Sequence, residues 1–278
     1  MGEDLTCFRD ESKNNYGFLR SFSWNDRAER LGFDEVFIDC TDLVEFNIEI
    51  LNHNDLQNSF FHLQRDDPED GFSFDASTFS GQTLPPHGQD PTTCGEKDPA
   101  DLGLRLRLGS HLAEHMRNAL DSQHGYTSTV GISTNKLLAK LVGNVNKPKG
   151  QTTLLPPYSP NACQESNAQN FLDAHDIGKI PGIGFKTAQK LRTFILGRPA
   201  DFDTGLVYGG TRENVFVRDV RLSHGMGIGC LQRVVGHIPK NLPERVWNLI
   251  NAVDDSDVGK ARDVPHQISI VSNFPTHI

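Results

Sequence analysis

The chain has 278 residues, a net charge of −9 and a composition of 36% hydrophobic and 23% charged residues. These proportions are typical of a globular protein and exclude a wholly disordered chain. No apolar run of about 18 residues occurs, so we expect no transmembrane helix and a soluble, intracellular protein. Five cysteines without a Cys-x-x-Cys pair disfavour a structural zinc site and a disulfide framework.

The charge is divided unevenly along the chain. Residues 1–52 and 53–100 each carry a net charge of −7, residues 101–200 carry +6, and the last 78 residues carry −1. An acidic front and a basic middle predict a metal-binding carboxylate region and a phosphate-binding region. A solvated charged surface is the alternative interpretation.

The first segment, residues 1–52, predicts a helix and a hairpin. Residues 5–23 are amphipathic, which predicts a helix that ends near Ser21. Residues 30–41 are rich in Phe, Val and Ile and predict two short strands joined by a tight turn. The helix positions expected to face inward are Phe8, Ser12, Phe18, Leu19 and Phe22.

Residues 53–100 have a different composition from the flanking segments. They contain an acidic run at 66–70, two consecutive prolines at 85–86 and scattered Gly, Ser and Thr without a sustained period. This composition predicts a disordered acidic insertion. Its phenylalanines form either a partner-docking motif or part of an idle loop; they are Phe60, Phe61, Phe72, Phe74 and Phe79.

Helices and strands alternate again from residue 101, and only short helices follow residue 161. Gly-rich turns separate those later helices, so a boundary between an α+β part and a small helical part is expected near residues 156–165. The predicted elements are a helix at 101–120, a strand at 127–133, a helix at 134–146 stopped by 147–150, a strand at 151–155 and a linker at 156–160.

Asp34 and Glu35 are adjacent carboxylates in the middle of the predicted hairpin, and Asp39 follows one strand later. Successive strand residues point to opposite faces, so an adjacent pair acts together best where the strand turns. At such a bend both carboxylates can reach Mg²⁺, which prefers oxygen ligands. An acidic hairpin tip in solvent is the alternative.

Three lysines lie on one face of the helix predicted at 134–146 and its end. At 100° per residue, Lys140 and Lys147 fall within 40° of Lys136 on the helical wheel. Such a row can bind a polyphosphate or a nucleic-acid backbone, although a solvated helix face has the same pattern. The apolar residues on the opposite side are Leu138, Leu141 and Val145.

The segment 177–191 contains the most specific local motif. Pro181 to Gly184 predict a tight turn with outward amides, and a helix begins there with Lys186 and Lys190 one turn apart. This pattern predicts a sequence-independent phosphate clamp of the helix-hairpin-helix kind. An ordinary packing corner between two helices is the alternative.

A competing motif lies in the helix at 101–120. His111, Glu114 and His115 fit the H-x-x-E-H pattern of inverted zinc proteases, with both histidines on one helical face. A zinc site of this kind needs a third ligand, and the sequence does not identify one.

Five sequence blocks resemble Y-family translesion DNA polymerases and occur in the same order. The block RLGFDEVFID at 30–39 resembles the second catalytic motif of that family. Apart from residues 53–100, the resemblance extends to about residue 270. The other blocks resemble the helix before that motif (8–12), the palm segment (130–140), the K-P-x-G element (147–150) and the thumb hairpin (180–188).

The resemblance implies the fold. It is an α+β protein, with a partial polymerase palm of mixed or antiparallel sheet and helices, followed by a small all-α thumb containing a helix-hairpin-helix. The implied division is a palm part with the acidic motif at 1–52, the insertion at 53–100, a palm part with the basic helix at 101–160, the thumb at 161–264, and a linker toward a little-finger domain at 265–278.

The resemblance also implies residue roles. Asp34 and Glu35 would be catalytic and would bind Mg²⁺ or Mn²⁺, Asp34 at the metals and Glu35 at the metal site or primer end. Lys147 would contact the incoming triphosphate, with Lys140 and Lys136 assigned to the same nucleotide. The residues implied to bind DNA are Ile180, Gly182, Ile183, Gly184, Lys186, Thr187 and Lys190.

The implied reaction is DNA-directed DNA synthesis opposite damaged template by two-metal phosphoryl transfer. The implied partners are primed, damaged DNA, a deoxynucleoside triphosphate and a sliding clamp, for a monomer in the nucleus. Another metal-binding Asp of the family, in a strand before the fingers, is not identified in this sequence. We therefore expect weak or no catalysis, and a non-catalytic DNA-binding module is the alternative function.

Overall fold

The chain divides into two compact units in the computed structural model. The terminal unit consists of residues 1–43 and 258–278, and the central unit of residues 44–257. The first and last parts of the chain thus belong together, although they are far apart in sequence. The residues described by the structure are 6–86, 100–158, 166–201, 211, 213–236 and 238–262.

A helix and a hairpin form the terminal unit. Helix α1 (Thr6–Arg20) packs on strands β1 (Ala28–Arg30) and β2 (Val36–Ile38), which pair antiparallel. This confirms the predicted helix and the predicted two-stranded turn, although the first strand begins at Ala28, before the expected range of 30–41. The helix is held by Tyr16, which is buried and donates its hydroxyl proton to the carbonyl of Ala28 at 2.8 Å.

Two details of the predicted α1 are different in the structure. Phe8 is 67% exposed, so its assignment to the inward face is wrong. It lies in the first turn of the helix, before the turns that pack on the hairpin. The buried helix positions are Ser12, which was predicted, and Tyr16, which was not.

Residues 258–262 return to the hairpin of the terminal unit. The backbone N–H of Gly259 donates to the Glu29 carboxylate at 2.8 Å, and the N–H of Ala261 donates to the Asp26 carbonyl at 2.8 Å. The sequence offers no local signal for this contact, because it joins segments at opposite ends of the chain.

The central unit contains β-strands connected by helices. It begins within α2 (Thr41–Glu49) and continues with an antiparallel hairpin and a parallel three-stranded sheet in the order β5, β7, β6. The hairpin strands are β3 (Ser59–His62) and β4 (Gly71–Phe74); the sheet strands are β5 (Gln82–Leu84), β6 (Thr129–Ile132) and β7 (Gly150–Leu154).

The helices α3 (Ala100–His124) and α4 (Lys136–Val142) pack on the three-stranded sheet. Because α4 joins β6 to β7, those two neighbouring strands run parallel, as a helical crossover requires. The predicted mixed or antiparallel sheet is therefore correct only in part. In the described residues the strands form three small sheets, two of them antiparallel hairpins and one parallel.

The predicted disorder of residues 53–100 is wrong for the part that the structure describes, residues 53–86. Phe61 is fully buried and Phe74 is 8% exposed, and both lie in the β3–β4 hairpin. The acidic composition did not indicate this hairpin, in which Phe61 packs against Phe72 and Phe74. Residues 87–99 lie outside the described residues.

Helix α4 is shorter than predicted. It ends at Val142 with Gly143 as its cap, before Lys147 and Pro148 are reached. Gly143 and Asn144 have low helix propensity, which accounts for the earlier end. As a consequence Val145 is 46% exposed, and its assignment to the apolar helix face is wrong.

Short helices form the rest of the central unit, as predicted. A 3₁₀ turn (Ile177–Lys179) lies between the first two of them. None of the helices in the described residues is long and apolar enough to cross a membrane. The helices are α5 (Asn167–Asp173), α6 (Phe185–Leu196), α7 (Val217–Arg221), α8 (Ile228–Val235) and α9 (Leu242–Ile250).

One hydrophobic cluster links these helices to the sheet. It includes Leu138 of α4, Leu154 of β7, Leu191 of α6 and Leu231 of α8, all at most 1% exposed. The cluster contains residues from both sides of 156–165, and the two compact units divide the chain elsewhere. A palm–thumb boundary at 156–165 therefore stays a prediction.

Candidate active site and nucleic-acid interface

The two adjacent carboxylates lie in the turn of the β1–β2 hairpin. The last strand pair is Arg30 opposite Val36, and the N–H of Leu31 donates to the Glu35 carbonyl at 2.9 Å. Asp34 and Glu35 are both exposed in the turn between these strands. The bend expected from the sequence is therefore present.

Contacts from α1 fix the conformation of this turn. The Ser12 hydroxyl donates to the carbonyl of Phe33, the residue before Asp34, at 2.5 Å. Arg30 donates to the same hydroxyl oxygen at 2.5 Å, and its guanidinium lies 5.1 Å from the centre of the Tyr16 ring. Sequence reasoning missed Arg30 and Tyr16, which position the turn without carrying a catalytic group.

Asp39 does not join the acidic pair. Its Oδ1 atom accepts hydrogen bonds from the backbone N–H and the hydroxyl of Thr41, at 3.0 and 2.6 Å. These bonds stabilise the start of α2, so this carboxylate has a structural role. Asp side chains commonly accept a hydrogen bond from the backbone N–H two residues later, and that signal was available in the sequence.

The donor set at the hairpin has the chemistry that a hard divalent cation requires. Asp34 and Glu35 supply carboxylate oxygens, which suit Mg²⁺ or Mn²⁺. Within the described residues no group of three or more His, Cys, Asp or Glu side chains is arranged to hold a metal. Magnesium normally takes only one or two protein carboxylates and completes its shell with phosphate and water oxygens.

The three lysines predicted to share one helix face are arranged differently. Lys136 donates from Nζ to the Asp257 carbonyl at 2.8 Å, and Lys140 is half-buried. Lys147 is exposed but lies beyond the end of α4, in the turn before β7, so its predicted place in the row is wrong. The rotation of 100° per residue stops applying once the helix ends at Val142.

The glycine-rich turn at 181–184 lies directly before α6. Ile180 and Ile183 are 2% and 5% exposed, so their side chains belong to the core. Gly182 is exposed and has a φ of +88°, in the left-handed region that favours glycine. Only backbone atoms of the isoleucines can therefore reach a ligand at this turn.

The N-terminus of α6 is open to an anion. Gly184 is its N-cap residue and no side chain of the described residues caps it. Lys186 is exposed in the first turn, and Thr187 is half-buried. Uncapped amides and the helix dipole favour a negative group at such a position.

The ammonium group of Lys190 is not free beside the turn, contrary to the sequence prediction, because it has a hydrogen-bond partner in the protein. Its Nζ atom donates to the carbonyl of Val235, near the end of α8, at 2.8 Å. The ammonium group thereby stabilises the C-terminus of that helix, where carbonyl groups lack intrahelical partners. Of the two lysines predicted one turn apart, Lys186 is the one with an exposed and uncommitted charge in the described structure.

A buried ion pair holds the segment that leads into the turn. Asp176 binds the guanidinium of Arg192 and accepts hydrogen bonds from the backbone N–H groups of Gly178 and Val215, at 2.8 and 3.1 Å. The two charged side chains are 13% and 8% exposed. Loss of one partner from a buried pair costs about 3–5 kcal/mol, so the turn is firmly anchored.

The histidines of the H-x-x-E-H motif pack against the β3–β4 hairpin. The His115 ring stacks on Phe72 with centroids 4.4 Å apart, and His111 lies 5.0 Å from the Phe74 ring. His111 Nε2 is also 3.1 Å from the Thr78 carbonyl oxygen. Both rings thus have structural partners, and the geometry does not support the zinc interpretation with Glu114.

Comparison with known proteins identifies the family. Residues 1–144, just over half of the chain, match the sequence profile of the impB/mucB/samB family. The chain belongs to this family. The match confirms the resemblance to Y-family polymerases, and it includes both the hairpin motif at 30–39 and the palm segment at 130–140.

Several known DNA polymerases are similar to this chain in sequence. DNA polymerase iota of Homo sapiens is 36% identical over 203 residues, 73% of this chain and 23% of that protein. DNA polymerase iota of Drosophila melanogaster is 31% identical over 188 residues, 67% of this chain and 21% of that protein. DNA polymerase IV of Neisseria meningitidis serogroup C is 30% identical over 168 residues, 52% of this chain and 45% of that protein.

The similarity to the iota-type members agrees with the Gly-Phe-Asp-Glu form of the hairpin motif, which resembles that type. The chain spans about a quarter of the length of the iota relatives that it matches.

Proposed function

We propose that this chain carries part of the catalytic apparatus of a translesion DNA polymerase and binds primed, damaged DNA and a deoxynucleoside triphosphate. The observation that supports this most strongly is the exposed Asp34–Glu35 turn, held by α1, within the segment that matches the family profile. The proposed reaction is attack of the primer 3′-hydroxyl on the α-phosphate, with pyrophosphate as the leaving group.

Asp34 and Glu35 would hold Mg²⁺ or Mn²⁺ at the reacting phosphate. A bound divalent cation supplies charge stabilisation and activates the attacking hydroxyl. Ser12 and Arg30 contribute by fixing the backbone of the turn, so that the carboxylates keep one orientation. Because the described residues supply only this acidic pair, we expect the activity of the chain to be weak.

Lys147 would bind the triphosphate, since its ammonium group is exposed and a compact positive charge suits phosphate oxygens. Lys140 and Lys136 have smaller proposed roles, because Lys136 already donates to a carbonyl oxygen. The turn at 181–184, with Lys186, would hold the DNA backbone as part of a thumb with a helix-hairpin-helix.

The wider setting follows from the same proposal. A polymerase of this type would act in the nucleus as a monomer and would contact a sliding clamp. A specific alternative is a DNA-binding module without catalysis, for which the 181–184 turn and Lys186 would be sufficient. The uncapped start of α6 favours DNA binding in either case.

Manganese binding at the hairpin tests the proposed site directly. Paramagnetic Mn²⁺, added with primed DNA and a deoxynucleoside triphosphate, should broaden the amide NMR signals of residues 31–36. We expect this broadening to be lost in the Asp34→Asn/Glu35→Gln variant. Asp42→Asn, an exposed acidic residue of α2, is the matched control and should retain it.

Broadening that is unchanged in the double variant would place the metal elsewhere and contradict the assignment of Asp34 and Glu35. Unchanged chemical shifts outside the hairpin would show that both variants keep their fold.

A further inference from the structure

A second basic side chain lies directly against the glycine-rich turn. A β-carbon placed on Gly182 would be 3.1 Å from Nη2 and 3.6 Å from Nε of Arg245, a residue of α9. The same β-carbon would be 3.1 Å from a methyl group of Leu249. The turn and this helix therefore lie in close contact, with the Arg245 guanidinium beside the backbone of Gly182.

Arg245 is exposed, and within the part of the chain that the structure describes its side chain makes no ion pair. The Oε2 atom of the adjacent Glu244 is buried and has no hydrogen-bond partner in the described structure, so it does not accept a bond from Arg245. The guanidinium at the turn thus has uncommitted donors.

Arg245 is more significant because Lys190 already has a hydrogen-bond partner within the protein. The sequence predicts a pair of cations, Lys186 and Lys190, beside the turn, but Lys190 donates to the Val235 carbonyl. Arg245 brings a second positive charge to the turn from a different helix. A guanidinium has five donors in a planar fork and binds phosphate in a bidentate manner, which an ammonium group cannot do.

We propose that Arg245 is a DNA-binding residue that contacts a backbone phosphate at the 181–184 turn, together with Lys186. This inference rests on the proposed function, because it assumes that the turn binds DNA. It adds a residue from α9, far along the sequence from the glycine-rich motif, and it assigns the second cation of the clamp to Arg245 instead of Lys190.

Binding of a labelled primer–template duplex to the whole chain, measured by fluorescence anisotropy over a series of salt concentrations, tests the proposal. We expect Arg245→Ala to weaken binding about three- to tenfold and to reduce the slope of log K against log salt by about 0.9, the value for one phosphate contact. Arg245→Lys should keep the slope and lose part of the affinity, since it keeps the charge without the fork.

The matched control is Arg218→Ala. Arg218 is an exposed arginine of α7 that lies beside Phe194 and Ile195, at the opposite end of α6 from the turn. Ten helical residues separate these ends by about 15 Å. The control should bind DNA with the affinity and salt slope of the unmodified chain, and thermal unfolding would show that each variant is folded.

The outcomes separate this inference from the function on which it rests. If Lys186→Ala weakens binding and Arg245→Ala does not, the turn binds DNA without Arg245 and the inference is wrong. Equal losses in Arg245→Ala and Arg218→Ala would show a general charge effect and also overturn it. If neither Lys186→Ala nor Arg245→Ala changes binding, the DNA-binding role of the turn fails as well.

Discussion

The ring of His115 in α3 stacks on the ring of Phe72 in β4, with the two planes only 8° apart. This contact joins a residue from a candidate zinc motif to a residue from the predicted disordered insertion. Both sequence interpretations changed for the same reason: the hairpin folds onto α3 and gives the histidines aromatic partners. The stack therefore makes the hairpin part of the central unit's packing.

Acid should weaken this packing. Burial lowers the pKa of His115 below its ordinary value of 6.5, and the charge of Asp70 opposes that effect. The unfolded chain then binds a proton more readily than the folded chain, so the free energy of unfolding should fall as the pH drops below about 6.5. Urea denaturation at pH 7.5 and pH 5.5 measures this change.

His115→Phe should reduce the loss of stability between these two pH values, because the stack remains and the proton-binding group is removed. His224→Gln alters an exposed histidine after α7 and should leave the pH dependence unchanged. An equal pH dependence in His115→Phe and the unmodified chain would refute the role of this ring.

Gln151→Leu should destabilise the central unit. The Gln151 side chain is 3% exposed and its Nε2 atom donates to the carbonyls of Ser80 and Ser110, at 2.9 and 2.8 Å. Leucine would remove both hydrogen bonds to these buried carbonyls, at a cost of about 1–3 kcal/mol. Urea denaturation measures the loss, and Gln123→Leu on the exposed face of α3 is the control.

This prediction also tests whether the segment before α3 is part of the folded structure, because Ser80 lies within residues 53–100, which the sequence predicts to be a disordered insertion. If the segment did not pack on β7, Gln151→Leu would lose only the bond to the Ser110 carbonyl, and its cost would be smaller than that of losing both carbonyl bonds.

Gly131→Ala should also be destabilising. A β-carbon on Gly131 of β6 would lie 2.0 Å from the Ala139 carbonyl oxygen and 2.4 Å from the Gly143 nitrogen, both backbone atoms. Backbone cannot move aside as a flexible side chain does, so we expect a loss of about 1–3 kcal/mol in the free energy of unfolding. Thermal and urea unfolding would measure it.

Gly103→Ala is a control with the opposite expectation. Gly103 lies in α3 with open space at its β-carbon, and alanine in a helix is favoured by about 1 kcal/mol over glycine. A Gly131→Ala protein as stable as Gly103→Ala would contradict the close approach of β6 to α4.

The sequence was sufficient for features that depend on local pattern. The hairpin around Asp34, the β6 strand and the glycine turn at 181–184 follow from alternation, β-branched residues and turn chemistry, and the structure has all three. The shared lysine face failed because helix propensity at Gly143 ended α4 before Lys147.

Features that depend on distant contacts could not be predicted from the sequence. Lys190 binds a carbonyl 45 residues away, and Arg245 approaches Gly182 from another helix. The β3–β4 hairpin also depends on α3 for its aromatic contacts, so its own composition resembled a loop. In each case a tertiary contact determines the role of the residue. Such a contact leaves no periodic pattern in the local sequence from which it could be predicted.

Primer extension with the chain in excess over a primed template, in Mn²⁺, is the most direct test of the account. We predict slow addition of nucleotides by the unmodified chain, and the same rate in Asp42→Asn. The rate should fall at least about tenfold in Asp34→Asn, because carboxylate–metal contacts at the reacting phosphate are worth several kcal/mol. Extension at the same rate in Asp34→Asn would contradict catalysis at this hairpin. Tight DNA binding with no extension by any of the three proteins would contradict it too, and would favour the DNA-binding module.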